Sequence, residues 1–474
     1  MILLIVGLSA AVVGAFGPML SPGFVQISGE LGISVNTLSQ ATAWLILTLG
    51  IWLFIANPLA KMYGKRPVYI VSIVIMFIGS IWGGAAKDYS SFLASRIFSG
   101  FGMAPYEVLV QCTLADLYFV HERATRIAVW NLFLLTGIAG GSLISGYVIQ
   151  NLGWQWTFWL CAIIFGLCMF GVIFLVPETT YKRNNKPSRR ATISQEKVHV
   201  EHKDHDIEHI SNTSSEPTLP PKMTYTRSLR VYTGRYARAP FWKIFVRPLI
   251  VFWYPAVFWA FLVYGTTLTW IVVFSVVNAS IFTAPPYNFS VSETGLISLS
   301  PFILTIVGEL ISGPLNDFIC LKLTERNRGI YEPEFRLVLI IPVAMVGIAG
   351  FFGFGATVAA QTHWAGPVLT FGLANMALAF ASGCVFGYVI DAHTSLAEEA
   401  FVAVNARNFL TFGLTYFVVD WLMADGTAEV FYVLGSLFVF VCALTVPLWV
   451  FGKRVRGWIA RNKFLSSFMA NEDM

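Results

Sequence analysis

The sequence predicts an all-α membrane protein, with twelve transmembrane helices arranged as two pseudo-symmetric six-helix bundles. Three observations predict it. Of the 474 residues 56% are hydrophobic and only 12% charged, with a mean hydropathy of +0.68, whereas soluble chains carry about 25% charge. Apolar runs of about 20 residues, the length that a hydrocarbon core about 30 Å thick requires, recur on both sides of a polar stretch in the middle of the chain. Finally, Asn57-Pro58-Leu59-Ala60-Lys61, after the second run, is echoed by Gly313-Pro314-Leu315-Asn316-Asp317 after the eighth, so one half is written twice. Paired six-span halves joined by a basic segment are the build of secondary transporters.

The runs of the first half fall near residues 1–20, 38–58, 67–86, 91–114, 126–149 and 156–176, and those of the second near 248–275, 294–314, 336–357, 366–390, 401–423 and 429–451. Met1 to Leu20 is read as the first span: a signal peptide would have a basic start, and this stretch has none. A chain that opens directly on its first span, with no tail before it, is expected to be truncated at its N-terminus. Four units follow: an N-terminal bundle over 1–180, a flexible cytoplasmic loop over 181–246, a C-terminal bundle over 247–452 and a cytoplasmic tail over 453–474.

Lys and Arg are retained on the cytoplasmic side of a membrane. Lys61, Lys65 and Arg66 follow span two, Arg123 and Arg126 span four, Lys322, Arg326 and Arg328 span eight, and Lys453, Arg454, Arg456, Arg461 and Lys463 span twelve. Every cluster lies on one face, so both termini are expected in the cytoplasm, and the plasma membrane is the expected location. The net charge of +5 is thereby explained by membrane orientation rather than by a nucleic-acid partner. The stretch 181–246 has too few apolar residues to offset the entropy of folding. Its His199, His202, His205 and His209 have neither cysteines nor a scaffold to make them a metal site. The six cysteines stand singly, without a Cys-x-x-Cys pair, which argues against both disulfides and a metal. No Walker loop, Gly-x-Ser-x-Gly elbow or metal-spaced His/Glu cluster occurs, so neither an enzyme nor a nucleotide-driven pump is indicated. No cofactor is expected. The expected partners are a small-molecule substrate, protons and the lipid bilayer, and the expected state is a monomer.

Gly64-Lys65-Arg66, following Asn57 to Lys61, resembles the major facilitator signature of the loop between spans two and three. Arg96-Ile97-Phe98-Ser99-Gly100-Phe101-Gly102 resembles the family's arginine-glycine motif of span four, and Gly137, Gly140, Gly141 and Gly146 fall where its antiporter motif of span five puts small residues. Pro177-Glu178-Thr179, Asp116 to Arg123, Trp154-Gln155-Trp156 and Asn327 to Leu337 extend the likeness to the fungal drug:proton antiporters of that superfamily. The resemblance covers the whole chain except the central loop. It implies the major facilitator fold and transport of small organic, cationic or amphipathic molecules by alternating access, with proton-coupled efflux. Proton-coupled uptake and a transporter-like receptor that does not transport are the alternatives.

Two departures from the pattern stand out. The signature's aspartate is Lys61 here and its leading glycine is Asn57, while the second-half copy keeps both as Gly313 and Asp317. In the family that aspartate lies against the N-terminal end of span eleven, whose dipole would repel a lysine. Glu398 and Glu399, just ahead of span eleven, are expected to supply the missing negative charge. In span five the usual Gly-Pro pair is replaced by Ile138-Ala139.

A charge at bilayer depth costs about 2.5–3.5 kcal/mol on insertion scales, so each must face protein or water. Arg96 and Glu107 are eleven residues apart, close to three helical turns, and Gln111 extends the same face. Glu107 is the expected site of cation recognition and proton carriage, with a permanent salt bridge as its structural alternative. Arg96, Gln111 and Glu309 complete the candidate substrate and proton set. Asn57, Lys61, Gly64, Lys65, Arg66, Gly313, Asp317, Asp391 and Arg407 form the candidate gate, with Arg407 the expected partner of Asp391. Of Trp253, Tyr254, Trp259, Tyr264 and Trp270 in span seven, most are expected to face lipid or the membrane interface and some the cavity.

Overall fold

The fold was analysed in a computed structural model, which describes residues 2–118, 120–180, 229–231, 234–237, 239–393 and 396–461. Most of the central loop, including Lys182 to Arg190 and the four histidines, lies outside the described residues, as do the side chains of 120–125 and the tail beyond Arg461. The first half contains α1 (Ile2–Phe16), α2 (Phe24–Leu31), α3 (Val35–Tyr63), α4 (Lys65–Ala85), α5 (Tyr89–Leu117), α6 (Val120–Leu152) and α7 (Gln155–Leu175). The second contains α8 (Phe241–Phe252), α9 (Pro255–Thr283), α10 (Val291–Leu296), α11 (Leu299–Arg326), α12 (Ile340–Ala359), α13 (Ala365–Ala392), α14 (Ala397–Val404), α15 (Arg407–Ala443) and α16 (Thr445–Arg461).

Ten stretches of the described chain are long and apolar enough to cross a membrane. The twelve-span reading is reached from them in two steps. Helix α5 is 29 residues long and contains Arg96, Glu107 and Asp116, which hold its hydropathy down. The stretch from Ala397 to Ile459 reverses at Gly426, whose φ of 83° and ψ of 165° leave the helix. Ahead of the reversal Asp420 accepts a hydrogen bond from Asn36 at the start of α3. Beyond it Arg456 reaches Glu334 at the opposite end of the bundle. The first span also runs past its expected end at residue 20, through a turn of 3-10 helix at Ser21–Gly23 into α2. Pro22 sits at the start of that turn, where its missing N–H costs nothing, and Gly32 ends α2 in the left-handed region at φ 65°.

Lipid supplies no hydrophobic force between helices, so close packing must join them. A Cβ on Gly137 would stand 2.1 Å from the Ala11 carbonyl oxygen, and one on Gly141 2.7 Å from the Ala15 Cα, so α6 lies backbone to backbone on α1. The core of the second half is a cluster of rings in which Phe274 of α9 meets Phe351, Phe354, Phe371 and Phe431 at centroid distances of 4.6–5.9 Å. Outward, Ile163, Leu167, Phe170 and Phe174 make an exposed apolar stripe along α7, the surface of a helix solvated by lipid.

The end of the central segment differs from the expected tether. Tyr236 donates its backbone N–H to the Met62 carbonyl at 2.8 Å, and Ala239 and Ile244 are buried with Met62. Helix α8 then begins at Phe241, inside the stretch read as loop.

Candidate functional site

The two carboxylates expected at membrane depth both lie on the seam between the halves, each bound to a residue of the other half. Glu107 projects from the second half of α5, just past Pro105, and its Oε2 accepts from Arg407 Nη2 at 3.2 Å and from Asn408 Nδ2 at 3.5 Å. Glu309, on α11, accepts at Oε1 from Asn131 Nδ2 of α6 at 2.5 Å and from Ser382 Oγ of α13 at 3.1 Å. Glu107 therefore has a cationic partner, whereas Glu309 is held by neutral donors and enters no ion pair among the described residues. The Arg407 guanidinium lies 5.5 Å from the centroid of the Tyr264 ring.

Arg96 is not part of this site. It is completely buried, donates to the Phe16 and Gly17 carbonyls at 2.9 and 3.1 Å, and lies over the rings of Phe16, Phe92 and Phe158. Eleven residues do bring two side chains to one side of a straight helix. They also separate them by about 16 Å along its axis, so Arg96 meets the end of α1 and Glu107 meets α15. Gln111 is buried one turn beyond Glu107, and its Oε1 has no hydrogen-bond partner among the described residues.

Arg407 does not pair with Asp391, contrary to the expected contact. Asp391 ends α13 within the second half and accepts from Arg336 Nε at 2.5 Å and from the Tyr331 hydroxyl. Burial and the neighbouring carboxylate push the Tyr331 phenol well above its usual range, so it stays a donor. The Pro333–Leu339 turn is also clamped by Arg456, bidentate on Glu334 at 2.7 Å, and by Lys453 on Glu332 at 2.5 Å. These contacts tie the loop after α11 to α13 and α16, all in one half.

A contact across the seam does exist at this basic end, between Lys61 and the two glutamates. Lys61 Nζ lies 2.6 Å from Glu399 Oε1 and 3.1 Å from Glu398 Oε2. Both carboxylates stand in the first turn of α14, where negative charge is favoured by the helix dipole. They provide what a lysine in place of the signature aspartate needs. Asn57, one turn earlier, is buried, and neither its Oδ1 nor its Nδ2 has a hydrogen-bond partner among the described residues. Lys65 Nζ bonds Asp116 at 2.6 Å, and Arg66 Nη2 donates to the Ile173 carbonyl at 2.7 Å. Glu178 caps the start of α4, accepting from the backbone N–H groups of Lys65 and Arg66 at 3.1 and 3.2 Å. Gly64 has φ 100°, and a Cβ there would strike the Glu178 carboxylate at 2.3 Å. The second-half copy is unlike the first: Gly313 and Asp317 are exposed, and nothing among the described residues lies within 4 Å of a Cβ placed on Gly313.

The small residues of α6 divide between two neighbours. Gly137 and Gly141 face α1, while Gly140 approaches Phe302 of α11 and Gly146 lies against Gly295 of α10, with Cβ-to-Cα distances of 2.8–2.9 Å. The halves thus touch at both ends of the seam. Between them is a pocket of about 30 Å³ with a mixed lining, in which Ser142, Asn278 and Asn375 alternate with Ile138, Ile271 and Phe371. That volume suits a water or two, so an organic substrate needs the halves to part.

Residues 2–415 match the family model of the Major Facilitator Superfamily. The chain belongs to the Major Facilitator Superfamily. The superfamily's secondary transporters carry small molecules and are not enzymes, and this chain is a multi-pass membrane protein of that fold. It is 26% identical to the uncharacterized MFS-type transporter C1271.10c of Schizosaccharomyces pombe, over 98% of this chain and 85% of the other. It is 24% identical to the probable efflux pump mfs2 of Aspergillus flavus, over 93% and 99% of the two chains. Among solved structures it superposes on the proton:xylose symporter XylE bound to 6-bromo-6-deoxy-D-glucose with a TM-score of 0.63, at 15% identity and 95% coverage of each. The human organic anion transporter MFSD10 gives a TM-score of 0.60 at 13% identity, over 94% of this chain and 98% of that one.

Sequence reasoning missed Asn131 and Ser382 in this major facilitator, and read Arg336 and Glu334 only as part of the Asn327 to Leu337 motif, without a contact of their own. Asn131 and Ser382 had a usable signal, as polar residues deep in apolar runs that need a buried partner. Four of the five span-seven aromatics are buried rather than lipid-facing: Trp259 donates to Thr445 Oγ1 and Trp270 to the Leu434 carbonyl, Tyr254 is packed inside, and Tyr264 lies beneath Arg407. Trp253 is 75% exposed. Those indoles pack inward because α9 is central in its bundle, with residues buried on every side.

Proposed function

We propose that this major facilitator exports small organic molecules of cationic or amphipathic character by alternating access, driven by protons, and that it does so in the plasma membrane with both termini in the cytoplasm. One observation carries the reading: each mid-span carboxylate is held by the opposite half, Glu107 by Arg407 and Glu309 by Asn131. Rocking of the halves must break both contacts. The charge state of each carboxylate is thereby tied to the conformation of the protein.

The two acids take different roles in this proposal. Glu107, released from Arg407, presents an uncompensated carboxylate from the first half, suited to an organic cation. Glu309 has no cation among the described residues to compensate its charge, so it is the position at which a proton is taken up and given back. This shifts proton carriage from Glu107, the sequence-based choice, to Glu309. Lys61 with Glu398 and Glu399 latches the basic end of the seam, with Gly64, Lys65 and Arg66 fixing the turn that presents Lys61. Asn57 packs beneath this latch. Asp391 braces one half internally, and Gly313 and Asp317 engage only in another conformation.

The test is flux in proteoliposomes under an imposed proton gradient, with a panel of organic cations, sugars and anions. Wild-type protein should move cations and protons in opposite directions. Glu309→Gln should keep cation exchange but lose the response to the gradient, and Glu107→Gln should weaken cation binding. Transport of sugars or anions alone would overturn the substrate class, and binding without flux would identify a receptor.

A further inference from the structure

A groove lies on the outside of the seam, beneath α8. Its walls are Ile51 and Phe54 of α3, Leu249 and Phe252 of α8, and Ala406 and Phe409 at the start of α15, enclosing about 340 Å³. Every lining side chain is hydrocarbon. The volume falls in the range of small-molecule sites, about 300–1,000 Å³. Ile51, Leu249 and Phe409, one from each wall, are 42–45% exposed, so the groove opens sideways on the lipid-facing surface.

The helix that roofs it has the marks of an interfacial segment. At 12 residues α8 is too short to span a bilayer. It carries exposed tryptophans near both ends, Trp242 and Trp253, as helices lying at a membrane surface do. The segment ahead of it is pinned to the first half through Tyr236 and Met62, while Ala406 and Phe409 belong to the second. The two walls flanking α8 therefore come from parts that move relative to each other when the halves rock.

We propose that this groove binds one acyl chain of a phospholipid from the leaflet at the basic end, and that the bound chain wedges the seam where α3 meets α15. A peptide or polar ligand would find no hydrogen-bond partner in the lining side chains, whereas a lipid tail is the chemistry that bathes the mouth. The inference rests on the membrane placement and the two-half architecture, and is independent of substrate and of transport direction.

The experiment is photocrosslinking of the full chain in nanodiscs, using phosphatidylcholine or phosphatidylglycerol with a diazirine at mid-chain, with adducts mapped by mass spectrometry. Adducts at Leu249 and Phe409 should exceed those at Ile163 and Leu167, on the open lipid face of α7, by about fivefold or more. Ala406→Phe should reduce the groove adducts to the level of α7 and leave α7 unchanged. Should that variant fail to reach the membrane, Ile51→Trp narrows the mouth from the other wall and is read in the same way. Groove labelling equal to that of α7, labelling that survives the filling variant, or labelling confined to phosphatidylglycerol would each overturn the proposal. The map is obtained from protein that transports or does not, so its failure is distinct from failure of the transport reading.

Discussion

Arg407 and Glu107 form an ion pair across the seam of the two halves, with Nη2 and Oε2 3.2 Å apart and the two side chains 5% and 15% exposed. Removing one member of such a pair leaves the other charged and poorly solvated, which costs about 3–5 kcal/mol, whereas replacing both is close to neutral. Arg407→Gln should therefore lower surface expression and thermal stability sharply. The double variant Glu107→Gln/Arg407→Gln should recover most of that stability without recovering cation binding. Fluorescence size-exclusion thermostability together with ligand binding checks both; a double variant as unstable as the single would show that the pair is not energetically coupled.

The latch at the basic end predicts a charge-swap result. Lys61→Glu places three carboxylates together, counting Glu398 and Glu399, and should open that end of the seam. Adding Glu398→Lys and Glu399→Lys should restore the attraction in part, because two lysines in the first turn of α14 still oppose its dipole. Accessibility of a cysteine placed at Asn57 to a thiol reagent reads the opening. It should rise severalfold in Lys61→Glu and fall back in the triple variant. Equal accessibility in all three proteins would remove the latch.

Gly137 and Gly146 should respond differently to the same methyl group. At Gly137 the methyl meets the Ala11 carbonyl within one half, so Gly137→Ala should destabilise the fold by about 1–3 kcal/mol, the usual cost of overpacking. At Gly146 it meets Gly295 across the seam. There Gly146→Ala should spare thermal stability and disfavour closure of the end of the seam opposite Lys61, read as increased labelling of an introduced cysteine at Ser142.

His393 gives a pH dependence of stability. It lies outside the spans, where burial, with Arg456 nearby, pushes its imidazole down to about 4. The unfolded chain binds that proton near pH 6.5. The neutral form therefore contributes fully above pH 6.5, and the contribution is lost as pH falls toward 4, at about 1.4 kcal/mol per pH unit. His393→Gln should flatten the decline of the apparent Tm between pH 6.5 and 4.5. An unchanged slope would place the acid sensitivity elsewhere.

Much of the fold is legible in the chain because lipid imposes a length and a composition on each span. The repeated motif, the basic clusters and the need of Lys61 for carboxylates are legible for the same reason: each is a local electrostatic or packing requirement with few solutions. The Lys61 contact was within reach because Glu398 and Glu399 are the acidic residues immediately ahead of span eleven. Arg96 was read onto the wrong site because helical phase gives a direction and not a neighbour. Its guanidinium found the open carbonyls at the end of α1 instead of the carboxylate three turns away.

The sequence by itself determined that this chain lies in a membrane, that it is built from two related halves, and that a few charged side chains must be shielded within it. The first and third follow from transfer energies, which depend on residue type and spacing alone, and the second from the motif that recurs at Asn57 to Lys61 and Gly313 to Asp317. Only the tertiary structure decided which partners do the shielding: Arg407 for Glu107, Asn131 and Ser382 for Glu309, Arg336 for Asp391. These pairings join residues 55 to 300 positions apart. Helix rotation and crossing select among several partners of similar chemistry, and that selection is a property of packing with no counterpart in the local sequence.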